Sequence, residues 1–299
     1  MMIFKRFKGN PVINPDPEKY YEKDATYNPC AILHEGKVYL IYRAEDKPKN
    51  AVSQLCLAIS DDGYKFKKYG KNPVIRPTLP EEKRGCEDPR ITKIAGTFYL
   101  TYTAYDGMFP EKSQNVYTAL ATSKDLIHWE KRGIIVKHMK AAAIFPEKIR
   151  GEYIIFIGGQ NIRIGRSSDL FNWKLDEKPI LDIREDRFDN CFVEVGPPPF
   201  VLNDKLVLFF NTADKNFVFH PSLALLDKNN PSNVLYRADE PLMNPTEEFE
   251  LNGKVPNVIF GEGLVEFKGT YFYYYGAADK YVAVATVKKS ELEKYVSSL

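Results

Sequence analysis

Gly269-Thr270-Tyr271-Phe272-Tyr273-Tyr274-Tyr275 sets five aromatic residues in a row behind a glycine turn, and four earlier stretches share its plan. They are Gly36-Lys37-Val38-Tyr39-Leu40-Ile41-Tyr42, Gly96-Thr97-Phe98-Tyr99-Leu100-Thr101-Tyr102, Gly151-Glu152-Tyr153-Ile154-Ile155-Phe156 and Asp204-Lys205-Leu206-Val207-Leu208-Phe209-Phe210. Starts at 36, 96, 151, 204 and 269 give steps of 60, 55, 53 and 65 residues. A polar turn opening into an aromatic-rich strand, repeated at such a period, marks units that bury their faces against neighbours. One sheet per unit predicts a five-bladed β-propeller spanning residues 1–299 as one domain. A closed ring of blades puts a funnel on its axis, into which loops of every blade can aim polar side chains.

A second repeat supports the blades. Ala58-Ile59-Ser60-Asp61-Asp62-Gly63-Tyr64-Lys65-Phe66, Ala121-Thr122-Ser123-Lys124-Asp125-Leu126-Ile127-His128-Trp129 and Gly165-Arg166-Ser167-Ser168-Asp169-Leu170-Phe171-Asn172-Trp173 each end a strand in Ser, turn at Asp and restart at an aromatic. The Ser and Asp side chains are expected to accept backbone N–H groups, and the aromatic to pack on its own sheet. The segments around Pro11, Pro73, Pro179 and Pro241 read as edge strands or inter-blade connections, because proline lacks the ladder donor. Ser290 to Leu299 reads as a helix, with Ser290 and Glu293 at capping-box spacing.

The 44% hydrophobic content suffices for a core, and 19 Tyr with 19 Phe suit strands. A net charge of +2 gives no electrostatic case for nucleic acid or an anionic membrane as partner. Cys30, Cys56, Cys86 and Cys191 form no C-x-x-C pair, and the four histidines have no ligand spacing, so no metal and no cofactor are expected. The N-terminus turns charged after a few residues and no apolar run reaches a membrane span of roughly 18 residues, so a cytoplasmic location is expected. Self-association is left open.

Three acidic positions stand where blades would present them: Asp88 in Gly85-Cys86-Glu87-Asp88-Pro89-Arg90, Glu194 in Val193-Glu194-Val195, and Glu262 in Phe260-Gly261-Glu262-Gly263. Glu194 and Glu262 interrupt apolar sequence, where a charge is costly unless paired or facing a cavity. Carboxyl groups flanking a sugar linkage are the minimal apparatus for glycoside cleavage, one giving a proton and one activating a nucleophile.

On these residues the chain resembles glycoside hydrolase family 130, five-bladed propellers that cleave β-mannosides, many by phosphorolysis. The matching pieces are Tyr27-Asn28-Pro29, Tyr42-Arg43-Ala44-Glu45-Asp46, Glu87-Asp88-Pro89-Arg90-Ile91, Phe145-Pro146-Glu147-Lys148, Gly196-Pro197-Pro198-Pro199, Leu225 to Ser232, Val255 to Phe260, and Tyr274-Tyr275-Gly276-Ala277-Ala278-Asp279. The resemblance implies that Asp88 is the acid, protonating the 3-hydroxyl of mannose, which relays its proton to the glycosidic oxygen. It implies that Asn28, Arg43 and Asp279 hold the mannosyl unit. Arg90, two residues past the acid, and Asp106 of Tyr105-Asp106-Gly107 complete the candidate sugar contacts, although an Asp before Gly is also a common turn.

The phosphorylases of that family carry a basic cluster for phosphate. Here Gly158, Phe192 and Asn211 fall where arginine, lysine and histidine are expected, leaving Lys140, with Asn211 as a weak substitute. Arg163 and Arg166 are near enough in sequence to replace a lost arginine, though exposed strand arginines are commoner. A phosphate dianion needs several charge-assisted donors, whereas water needs a base, which Glu194 or Glu262 would supply. The expectation is therefore inverting hydrolysis of β-1,2-linked mannosides. The alternatives are phosphorolysis to α-mannose 1-phosphate, a non-catalytic sugar-binding propeller, and a furanosidase-type propeller. Direct inverting geometry would set acid and base roughly 6.5–9.5 Å apart.

Overall fold

The computed structural model describes residues 4–107 and 115–299. A short outer strand, β1 (Lys5–Arg6), opens the chain. The first blade follows as β2 (Ala25–His34), β3 (Lys37–Glu45), β4 (Gln54–Ser60) and β5 (Lys67–Lys68). The second is β6 (Gly85–Ile94), β7 (Thr97–Tyr105), β8 (Val116–Ser123) and β9 (Glu130–Lys137), and the third β10 (Ala142–Ile144), β11 (Tyr153–Ile157), β12 (Arg163–Ser167) and β13 (Lys174–Leu175). In the fourth, β14 (Phe192–Val195) and β15 (Phe200–Leu202) share one partner, β16 (Lys205–Ala213), followed by β17 (Phe219–Asp227) and β18 (Asn230–Arg237). Gly196-Pro197-Pro198-Pro199 splits that inner strand because three prolines cannot donate to the ladder. The fifth blade, β19 (Ile259–Phe267), β20 (Thr270–Ala277) and β21 (Tyr281–Lys288), takes β1 as its outer strand, Lys5 opposite Thr286. The two ends of the chain thus close the ring within one sheet.

All five quoted stretches are second strands, buried on both faces, which explains their aromatic content. Along β20, Tyr271, Tyr273 and Tyr275 pack on the fourth blade with Phe209 and Leu223, while Phe272 and Tyr274 pack on the first with Leu40 and Tyr42. Period-two alternation feeds two cores at once. Five apolar clusters fill the five interfaces between blades.

The turns follow the reading closely. Ser60 Oγ accepts the N–H groups of Asp62 and Gly63, and Asp62 Oδ1 those of Tyr64 and Lys65. Ser123 with Asp125 and Ser167 with Asp169 repeat the pattern. One expectation changes: Tyr64 and Phe66 pack across the interface on Phe272 (4.9 Å, tilted) and Tyr274 (5.7 Å, edge to face) of the fifth blade, and a bare Gly63 lets the Phe272 ring approach. The proline segments are connections, and three of them add a bridge to a blade at Ile13–Val282, Leu55–Ile75 and Ile162–Leu181. The C-terminal helix, α2 after the single turn α1 (Glu248–Leu251), spans Lys289–Ser297. Its cap lies two residues earlier than expected, the Lys288 N–H meeting Glu291 at 3.4 Å, because β21 runs straight into it.

Four blades carry a device that was not legible beforehand. A buried acid just ahead of the inner strand ties its blade together: Glu22 to Tyr42 (2.9 Å) and Lys68 (2.8 Å), Glu82 to Tyr102 (2.7 Å) and Lys131 (2.6 Å), Glu250 to Tyr275 and Arg6 (both 2.7 Å). In the fourth blade Asp189 binds Arg184 and Arg237, and the ring opposite is Phe210. The third blade has His138-Met139-Lys140-Ala141 there and no acid. Among the described residues no helix is long and apolar enough to cross a membrane.

Candidate active site

The inner strands of the first two blades are broken at the same place. Between Tyr27 and Cys30, and between Glu87 and Arg90, the ladder slips, and the intervening Asn28 and Asp88 take φ of 46° and 49°. Each is followed by proline, and Asn and Asp are the non-glycine residues that best tolerate this left-handed region. The bulges aim both side chains at the axis, where Asn28 Nδ2 donates to Asp88 Oδ1 at 2.9 Å. Gly276 lies so close that a Cβ there would meet Asn28 Oδ1 at 2.2 Å.

Arg43 organises this side. Its guanidinium bonds Glu45 (2.7 Å), Glu87 (2.8 Å) and Asp88 (3.3 Å), donates to Ser53 Oγ (3.0 Å), and lies over the Tyr27 ring at 4.8 Å. Lys254 from beyond α1 pairs with Glu45 as well. Burial works against the Asp88 anion, but Arg43, Lys140, Arg90 and the Asn28 amide outweigh it and hold the carboxyl below its usual range. Asp279, at φ 50° after β20, belongs to the same field, its carboxyl raised to about 6 by burial and by Asp88 and Glu45, against the pull of Arg43.

Arg90 organises the other side. Fully buried, it donates to the carbonyl oxygens of Asp88 (2.9 Å) and Gly196 (3.3 Å) and to Glu194 Oε1 (3.3 Å), and lies 3.1 Å from Glu262 Oε1. Its expected role as a sugar contact is therefore not what its bonds describe; it is a counter-cation fixed between blades. Glu194 Oε2 and both oxygens of Glu262 are buried without a hydrogen-bond partner, and Glu194 Oε2 sits 3.4 Å from Lys140 Nζ. Burial raises both carboxyls, Glu262 well above its ordinary value, with Asp88 adding repulsion against the attraction of Arg90.

One oxygen each of Asp88, Glu194 and Glu262 lies within 4.8 Å of the others. This is closer than the spacing expected for direct inversion, because Arg90 gathers Glu194 and Glu262 while holding the backbone carbonyl of Asp88, whose carboxyl is held by Arg43. The same three could reach a cation, but Arg90 already supplies positive charge there, so the donor set does not fit a metal as it stands.

The remaining candidates separate. Asn211 spends its side-chain oxygen and one amide N–H on the backbone of Gly261, donating to the carbonyl (3.0 Å) and accepting the N–H (2.8 Å), so it pins the strand that carries Glu262. Asp106, at the end of β7, bonds Tyr117 of its own blade. Arg166 pairs with Asp176 and Ser232. Lys140, Gly158, Gly159, Gln160, Arg163 and Phe192 line one cavity of about 730 Å³ over the third blade, the blade without a buried acid. A Cβ on Gly159 would meet Glu194 Oε2 and Lys140 Cε, both at 2.9 Å, so this cavity abuts Glu194.

Sequence reasoning missed Ser53 and Lys254, and quoted Tyr27, Glu45 and Glu87 in its motifs without giving them a role. A signal was present for one of them: Arg43 and Glu45 are two apart on a strand and so share a face.

Residues 3–298 match the family model described as β-1,4-mannooligosaccharide phosphorylase of glycoside hydrolase family 130. A 1,2-β-oligomannan phosphorylase of Thermoanaerobacter sp. (strain X514) is 37% identical over 98% of this chain and 100% of its own. The β-1,2-mannobiose phosphorylase from Listeria innocua, solved with β-1,2-mannobiose, superposes with a TM-score of 0.89 at 25% identity over 100% of both chains. Another solved structure, presented under the statement that this family of mannoside phosphorylases contains glycoside hydrolases that target β-1,2 mannosidic linkages in Candida mannan, gives a TM-score of 0.88 at 31% identity over 96% of this chain and 94% of that one. The names of the curated relatives support the phosphorylase alternative better than hydrolysis, which the residues had put first. With this match along the whole ordered set of motifs, the chain belongs to glycoside hydrolase family 130.

Proposed function

We propose that this protein cleaves β-1,2-linked mannosides with inversion and that water is the acceptor. The observation that carries the acceptor is the pair of buried carboxyls, Glu194 and Glu262, three of whose oxygens accept no hydrogen bond, two of them being held by ion pairs to Lys140 and Arg90. A phosphate dianion would meet these groups where it needs charged donors, with Gly158 and Phe192 offering no side-chain donor and Asn211 a neutral amide partly committed to Gly261. Neutral water escapes that repulsion and gains a base. Glu194 is the base in this reading, since it borders the cavity, and a carboxyl raised by burial is a stronger base than a free one. Asp88 gives its proton to the 3-hydroxyl of the mannosyl unit, this hydroxyl passes one to the leaving oxygen, and α-mannose is released. Relay through a hydroxyl frees the acid from direct contact with the leaving oxygen, so the separation expected for direct inversion does not constrain this pair. A non-catalytic sugar binder would have no need of orphaned buried acids.

A second reading, phosphorolysis, is favoured by the relatives' names and by the shared cavity of Lys140 and Arg163. One experiment separates the two: β-1,2-mannobiose incubated with and without millimolar phosphate. Phosphate-independent release of mannose supports hydrolysis; acceleration by phosphate with accumulation of mannose 1-phosphate establishes the alternative. No cleavage under either condition rejects both.

A further inference from the structure

Neighbouring residues on a strand normally point to opposite faces, yet Glu87 and Asp88 both reach Arg43. The left-handed turn at Asp88 brings this about. Glu87 Oε1 accepts from Arg43 Nη2 (2.8 Å) and Ser53 Oγ (2.9 Å), while Asp88 Oδ1 accepts from Arg43 Nη1 (3.3 Å) and Asn28 Nδ2 (2.9 Å). Two carboxyl groups thus stand on two arms of one guanidinium. Every donor on Asp88 Oδ1 stabilises its anion. An acid poised to give a proton is therefore held in the form that has none.

Resting on the reading of Asp88 as the acid, we propose that Glu87 is a positioning residue that stores the proton Asp88 delivers. The two carboxyls hold one proton between them on Arg43, resident on Glu87 in the free enzyme. It passes to Asp88 once a sugar covers the pair. In that step the Glu87 O–H bond breaks and an Asp88 O–H bond forms, so the pair keeps a single negative charge. When Asp88 then protonates the sugar hydroxyl, both groups are anionic, and solvent returns a proton after product leaves. A sugar lying over the pair excludes water and penalises two adjacent anions most, which keeps the proton in place until it is used.

The surroundings support this ordering. Glu87 faces Arg43 and Glu45 from β3, Tyr27 from β2, Ser53 ahead of β4, and Cys86 and Asp88 from its own strand. Burial, with repulsion from Asp88 and Glu45, exceeds the attraction of Arg43 and brings its carboxyl to about 7. The mechanism is the same whether water or phosphate accepts the mannosyl group.

The test is the pH profile of kcat/KM for β-1,2-mannobiose, which reports free-enzyme groups, in the wild type, Glu87→Gln and Ser53→Ala. Gln keeps the acceptor oxygen for Arg43 and Ser53 but stores no proton. Activity at pH 7 should fall roughly 10²-fold, with the alkaline limb moved well to the acid side and rate recovering as pH falls. Ser53→Ala removes the hydroxyl proton that Glu87 Oε1 shares with Glu45 Oε1 (both 2.9 Å), so its alkaline limb should move the other way, upward. An unshifted limb in Glu87→Gln, or a loss equal at all pH values, overturns the proposal. So does a Ser53→Ala limb that stays put or moves down, and this variant decides alone if Glu87→Gln does not fold. Retention of activity by Asp88→Asn would instead overturn the reading of Asp88 itself.

Discussion

Among the described residues, six carboxyl groups of this propeller have no exposed surface, and they fall into two kinds. Glu22, Glu82, Asp189 and Glu250 tie blades together and are met by a cation, three of them by a tyrosine hydroxyl as well. Glu82 and Glu250 also accept backbone N–H groups of the preceding turn. Glu194 and Glu262, at the axis, share Arg90, and three of their oxygens accept no hydrogen bond, ion pairs to Arg90 and Lys140 being all that two of them have. The pKa directions differ accordingly: despite burial, Lys131, Tyr102 and backbone N–H groups hold Glu82 below its ordinary value, whereas burial drives Glu262 well above. Burial alone therefore does not distinguish structure from function. Completeness of hydrogen bonding does, because a satisfied buried acid stabilises its neighbours and an unsatisfied one is retained at a cost to stability.

The largest expected effect belongs to the acid between these groups. Asp88→Asn preserves the shape and should cut turnover by roughly 10²–10⁴-fold or more. Turnover above a tenth of wild type in a folded variant removes Asp88 from the role. Next, the base should show the chemistry of the orphaned kind: Glu194→Gln should lose activity that azide partly restores, and the same measurement on Glu262→Gln decides between the two. Restoration in Glu262→Gln alone would transfer the role to it.

The contrast in stability should run the opposite way. Glu262→Gln removes a buried charge that accepts no hydrogen bond and shares its Arg90 counter-cation with Glu194, so the melting temperature at pH 8 should rise. Glu82→Ala strands the Lys131 cation and the Tyr102 hydroxyl and should cost about 3–5 kcal/mol, with catalysis retained in the folded fraction. A Glu262 variant that melts lower, or a Glu82 variant that melts unchanged, breaks the distinction.

The smallest effect is in pH dependence. Glu82, lowered in the folded state, contributes stability that is present above its unfolded pKa of about 4 and is lost as pH falls below it. Glu262, raised, contributes stability present below about 4 that is lost as pH rises through its folded value. Melting curves across pH should therefore lose their acid-side drop in part in Glu82→Gln and their alkaline-side decline in part in Glu262→Gln. Identical pH slopes in both variants and the wild type would remove the electrostatic basis of the comparison.

The blades were legible because their signals are local. Aromatic second strands alternate with period two, and Ser-Asp turns bond within five residues, so Tyr271 to Tyr275 and Ser123 to His128 declare their geometry without distant partners. Asp88, Glu194 and Glu262 could be picked out because a charge inside apolar sequence is locally anomalous. What the chain alone could not decide is which distant groups would meet these charges. Asn211 looked like a remnant of an anion site until blade packing laid it across Gly261, and Arg90 like a sugar ligand until it was seen holding Glu194, 104 residues away. Glu87 and Asp88 are neighbours in any reading of the sequence; that both face Arg43 depends on one positive φ, fixed by the ring that closes around it. Local periodicity determined the elements, and only closure of the ring, by setting which polar atoms were satisfied and which were left over, decided the site.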